Sequence, residues 1–169
     1  MDAQGYAVKQ FARVRWMIEM ATQGMTEAEF HWSPPGTANA ISAILLHVYG
    51  IEDTVVQRLC RGREPIWQGG GWAARVGVAI TPGHAGGWRE PAEARVSLDA
   101  VRAYGRAVQE GTDAYLASLT TDELQRAIEL RGQPAQIADA LILVASHTAL
   151  HAGEISTLRG LQGAKGWPF

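Results

Sequence analysis

Along most of the chain, apolar residues recur at spacings of three and four, the period that lines one face of an α-helix. Phe11, Val14, Ile18, Ala21 and Met25 make the first such stripe and predict a helix over residues 4–23, ended by Gly24. The stretch MTEAEFHWSPPGTAN carries a short turn of helix opened by Thr26, which Pro34, Pro35 and Gly36 stop. Ile41, Ile44, Leu45, Val48, Ile51, Val55 and Leu59 predict a second long helix over 39–61. Ser97 is placed to cap a third, in which Leu98, Val101, Val108, Tyr115 and Leu119 keep helical spacing to residue 119. Gly105 and Gly111 mark points of close approach within it. A short helix is expected over 121–130, with RGQP as the turn into a last long helix over 138–161. Four amphipathic helices of this length predict an all-α protein, a four-helix bundle.

The pattern fails over residues 62–96, between the second and third helices. That stretch holds eight of the nineteen glycines, three of the seven prolines and three of the six tryptophans. It reads as an ordered flap, with an extended piece over 75–81, pinned by Trp67, Trp72 and Trp88. Arg61 at its edge and Arg63, Arg75 and Arg89 within it read first as solvated loop charges and second as groups that could meet an anionic ligand.

At 169 residues the chain fits a single domain, 1–169, large enough to bury a core. A formal net charge of -2 argues against nucleic acid as a partner. No apolar run reaches the roughly 20 residues of a membrane span, and MDAQGYAVKQ lacks the apolar core of a signal peptide, so a cytoplasmic protein is expected. A lone cysteine, Cys60, leaves no intramolecular disulfide and reads as a buried, inert thiol.

Chemistry enters with His147 and His151, four residues apart on the last helix and therefore one turn apart on one face. The same sector holds Leu143, Val144, Leu150, Ile155, Leu158 and Leu161, so both imidazoles are expected on the apolar side. There each must find a hydrogen-bond partner or a metal. His47 borders the stripe of the second helix, and if the second and last helices are neighbours it meets the pair. Three imidazoles with coordination positions to spare suit a metal that holds water or substrate. Glu154, near His151, reads either as a group that orients a histidine or acts as a base, or as a charge partner of Arg159. His31 and His84 read as ordinary connector residues. Ala138, Ala145, Ala149 and Ala152 form a small-residue strip, expected roughly opposite the histidines, against a bundle neighbour or a second subunit.

The ordered combination of AILLHVYGIED with HTALHAGEISTLRGLQG far downstream resembles the DinB-like superfamily of four-helix-bundle proteins. The approach WSPPGTAN, the passage LASLTTDEL and the tail GLQGAKGWPF look similar as well, so the resemblance spans the chain. It implies a divalent metal, nickel or zinc among others, on His47, His147 and His151, and a homodimer. It further implies a low-molecular-weight thiol cosubstrate of the bacillithiol, mycothiol or glutathione kind, used in S-transfer to a small-molecule substrate, with Glu154 as the catalytic candidate. Two other readings stand beside a metal-dependent transferase: a binding bundle that catalyses nothing, and a structural bundle whose histidines are satisfied by hydrogen bonds.

Overall fold

Asp2 opens the first helix. Its carboxylate accepts the Gly5 N–H at 2.8 Å, satisfying one of the donors that a helix start leaves open, and α1 runs over Ala3–Thr22 with Phe11, Val14, Ile18 and Ala21 buried. The computed structural model describes residues 1–78 and 96–165. In α2 (Glu27–His31) the Thr26 hydroxyl accepts from the Glu29 N–H and the Glu29 carboxylate accepts from the Thr26 N–H, a reciprocal cap.

The second long helix divides in two. Over α3 (Ile41–Asp53) the winding is α-helical; from Thr54 to Cys60 the rod continues with the wider π winding. Between Ile41 and Gly50 every residue is buried except His47.

Two short helices, α4 (Ile66–Gly69) and α5 (Trp72–Val76), make up the described part of the insertion. The rings of Trp67 and Trp72 pack against Tyr104 at 5.0 and 5.5 Å, so these tryptophans do pin the segment. The extended piece expected over 75–81 is corrected in its first part: Arg75 and Val76 belong to α5. The Arg75 guanidinium lies 3.5 Å from the centre of the Trp72 ring, one helical turn back, and Gly77 at φ 83° ends the turn. Residues 79–81 of that piece, like His84, Trp88 and Arg89, lie outside the described residues.

Ser97 caps α6 (Leu98–Leu116). Both expected close approaches occur, since a Cβ on Gly105 would stand 2.5 Å from the Tyr49 ring and one on Gly111 2.8 Å from Ile66. After α7 (Thr121–Gln125) the expected helix over 121–130 is overturned in its second half. Ala127–Leu130 forms strand β1, paired antiparallel with β2 (Gln133–Gln136), Leu130 facing Gln133. Ile128 and Leu130 are half-buried while Ala127 and Glu129 are exposed, the alternation of a strand with one face packed.

The last helix, α8 (Ile137–Leu161), lies between α1 and α3, and α6 packs on the other side of α3. Its buried arc comprises Ile137, Ala140, Leu141, Val144, Ala145, Thr148, Ala152, Ile155 and Leu158. His147 and His151 therefore border that arc and do not sit at its centre. Leu150 and Leu161, expected beside them in the apolar sector, are 74% and 63% exposed. Ala145 and Ala152 are buried and Ala149 is half-buried, and this strip is covered within the chain, where Ala145 and Ala149 share a core cluster with Phe11 and Val14 of α1.

Candidate metal centre

His47 comes from the one partly exposed position in the buried stretch of α3, and His147 and His151 from the border of α8 that faces α3. The structure brings together the three histidines that the spacing singles out. Nε2 of His147 lies 2.9 Å from Nε2 of His47 and 3.2 Å from Nε2 of His151. One ligand nitrogen from each ring falls within 4.8 Å of the others, and among the described residues this is the one such group of histidine, cysteine and acidic side chains. The rings meet edge to face, with centroids 4.4 to 5.2 Å apart.

Hydrogen bonds alone cannot complete this arrangement. A bond between two imidazole nitrogens needs one N–H and one lone pair. The Glu154 carboxylate lies 2.6 Å from Nδ1 of His151, so the proton of that ring belongs on Nδ1 and its Nε2 offers a lone pair. Nε2 of His147 then faces two nitrogens and can donate to only one. Nδ1 of His147, buried, has no partner. A cation among the three Nε2 atoms accepts all three lone pairs at once. Imidazoles bound to one ion at about 2.0–2.1 Å leave neighbouring nitrogens roughly 3 Å apart, which is the spacing seen between His147 and its two neighbours. The donor set could thus hold a divalent metal.

Electrostatics agrees with that chemistry. Burial, and after it the neighbouring charge of His151, lowers the His47 pKa. Burial, then His151, His47 and the charge of Arg131, lowers that of His147 to about 4. Both rings are neutral at physiological pH, the form that ligates a metal. The carboxylate on His151 is the partner that a metal-bound imidazole usually has, fixing its tautomer and tilt.

The other sequence candidates are drawn into the fabric of the bundle. His31, at the end of α2, lies 3.4 Å from Glu27 and against Phe30. Burial pushes the Cys60 thiol up to about 12, so it is inert as expected. Arg61 donates to the Gln57 side chain and to the Gly111 carbonyl. One nearby residue escaped the reading of the sequence: Arg131, taken only as part of a turn, carries a charge that is felt at His147. The alternation in AIELRGQPAQ was the signal for the hairpin that presents it.

No described helix is long and apolar enough to cross a membrane. Among solved structures, a conserved protein from Enterococcus faecalis superposes with a TM-score of 0.79 at 18% identity, over 95% of this chain and 97% of that one. A DinB-like protein of Bacillus subtilis gives 0.63 at 17% identity, over 97% and 96%. These likenesses show the fold. No curated protein matches the chain. A family model described as the DinB superfamily matches residues 10–155, most of the chain, and with an all-α bundle carrying this histidine group the protein belongs to the DinB superfamily.

Proposed function

We propose that this protein is a metal-dependent enzyme whose divalent ion, nickel or zinc, is held by His47, His147 and His151, and that it transfers a low-molecular-weight thiol of the bacillithiol, mycothiol or glutathione kind to a small-molecule electrophile. The observation that carries the reading is the convergence of three Nε2 atoms that hydrogen bonding cannot mutually satisfy. A divalent ion held by three neutral imidazoles supplies a Lewis acid with positions to spare, at which a thiol loses its proton near neutral pH. The protein's own groups do the rest. Glu154 holds the proton of His151 on Nδ1 and so aims Nε2 inward. His47, His147 and His151 are each half-buried, so the site keeps some contact with solvent.

We read the chain as one domain, 1–169, acting as a homodimer. The exposed positions of α8 from Ile142 to Leu161 carry no charge and include Ile142, Leu150 and Leu161 at 63%, 74% and 63% exposure, an apolar outer face suited to a second subunit.

The test is metal content by elemental mass spectrometry on untagged protein purified without chelator, beside His147→Ala and His151→Ala. Near-stoichiometric nickel or zinc in the wild type that vanishes in both variants is the expected result, followed by thiol consumption in a panel of electrophiles. A wild type that holds no metal and takes none up from nickel or zinc solutions overturns the reading. Metal without thiol turnover leaves a binding bundle.

A further inference from the structure

α3 opens to the outside at two positions. Of its residues Ile41–Asp53, His47 and Ile51 are half-buried and all the others are buried. The two stand one turn apart on one face, with Cβ atoms about 6 Å apart, so the first open position holds a triad histidine and the second an aliphatic side chain. The border of α8 that faces α3 repeats the pattern. Leu143, His147, His151 and Glu154, at spacings of four, four and three, are all half-buried, and Leu143 stands one turn ahead of His147.

These two aliphatic residues lie on the same side of the histidines. Ile44 and Val48 of α3 share a core group with Ala152 and Ile155 of α8, while Val55 and Val56 share another with Leu141 and Val144. The helices are therefore antiparallel, and the chain that leaves His47 toward Val55 meets the part of α8 that precedes His147. Ile51 and Leu143 both pack against that second group. Helical side chains lean toward the N-terminus of their own helix, so Ile51 leans toward His47 and His147 leans toward Leu143. On the far side of the triad stands Glu154, its carboxylate 2.6 Å from Nδ1 of His151. The site thus has an acidic flank and an aliphatic one.

We propose that Ile51 and Leu143 are the specificity-determining residues of the triad site, an aliphatic shelf that receives an apolar group, alkyl or aryl, carried next to the atom that meets His47, His147 and His151. This deepens the metal and thiol reading above, on which it rests, by naming what the ligand carries beside its donor atom. A polar group laid on the shelf gives up water for side chains that offer it no hydrogen bond, whereas an apolar group gains from leaving water.

The test uses the whole protein loaded with cobalt(II), whose visible spectrum reports ligands entering the site, titrated with two neutral thiols, phenylmethanethiol and 2-mercaptoethanol. The wild type should bind the aryl thiol about tenfold more tightly, the ratio expected where roughly 55 Å² of apolar surface leaves water. Ile51→Thr and Leu143→Gln should each cut the ratio to about threefold, as when half of that surface loses its cover, through weaker binding of the aryl thiol alone, with 2-mercaptoethanol affinity and the cobalt spectrum held. A wild type that takes up no cobalt overturns the metal reading and this proposal with it, and one that takes up cobalt but binds neither thiol overturns the thiol reading likewise. Equal affinity for the two thiols overturns this proposal alone. So does a ratio that survives in both variants, or a loss that falls equally on both thiols, which would make Ile51 and Leu143 supports of the histidines only.

Discussion

At Asp53 a buried carboxylate meets three donors: the Ile66 and Trp67 N–H groups at 2.8 and 2.9 Å and the Tyr104 hydroxyl at 2.8 Å. At the histidines, also between α3 and a neighbouring helix, three Nε2 atoms crowd together and Nδ1 of His147 has no partner. The first constellation is closed: each donor has its acceptor, and what it does is seat the insertion on the bundle, with Trp67 and Trp72 packed around Tyr104. The second is open, with lone pairs in excess. The difference teaches how to separate a structural polar cluster from a ligand site by counting donors against acceptors, because buried groups that do not satisfy one another cost stability unless something else completes them.

The largest effect should come from breaking the closed cluster. Asp53→Ala leaves two backbone donors and a phenol without an acceptor in a site 1% exposed, and we expect a loss of about 3–5 kcal/mol in urea unfolding. In metal-free protein, His47→Ala should cost well under half of that, since it also relieves the crowding of the other two rings. If the metal-free histidine variant proves the more damaging, the histidines are a satisfied structural cluster and the contrast collapses.

Metal should reverse the order. Zinc at a thousandfold excess over its Kd adds about 4 kcal/mol to the native state, which thermal unfolding would register as a higher Tm in the wild type and no change in His147→Ala. Chelation should return the wild type to its metal-free Tm. A zinc response that persists without His147 would place the binding elsewhere on the chain.

Much of this contrast was legible in the residues themselves. The histidine pair on the last helix and the third at the edge of the second follow from a period of 3.6, which long helices keep faithfully, and the bundle follows from the same stripes. What the period concealed was local. Placing the histidines within α8's apolar sector drew in Leu150 and Leu161, whereas the buried arc is centred past them, toward α1, so both leucines face outward. The hairpin escaped because each strand is four residues long and follows Thr121, Asp122 and Glu123, a helix start that invites extension. Pro134 sits in a strand that, among the described residues, is paired on one side only, where a missing N–H is tolerated. The π winding of Thr54–Cys60 uses the same residue types as an α-helix and left no mark in the apolar spacing.

Glu154 sharpens the comparison from the metal side. As Glu154→Gln, an amide replaces the carboxylate facing Nδ1 of His151, and we expect metal affinity to fall by about 10- to 100-fold with metal-free stability almost unchanged. Competition against a chromophoric chelator measures the first and urea unfolding the second. Equal losses in both would make Glu154 a bundle charge with no bearing on the site.

The smallest effect is one of sign. Burial, and after it the neighbouring imidazoles, holds His147 at about 4 in the folded, metal-free protein, against an ordinary 6.5. Between those values the unfolded chain binds the proton and the folded one does not, so the ring's contribution is intact above pH 6.5 and is lost as pH falls to about 4. His47 is lowered for the same first cause and acts in the same direction. Asp53 acts oppositely: burial raises its carboxyl above the usual 3.8, so the folded state holds that proton more tightly and acid favours it there. Urea unfolding of metal-free wild type from pH 7 to pH 4 should therefore show stability falling with pH, and His147→Gln should flatten the slope. The rings are only half withdrawn from water, which keeps the change below that of zinc binding. A variant as steep as the wild type would mean that the loss in acid arises outside the histidines, and that the open cluster is not where this fold is sensitive to protons.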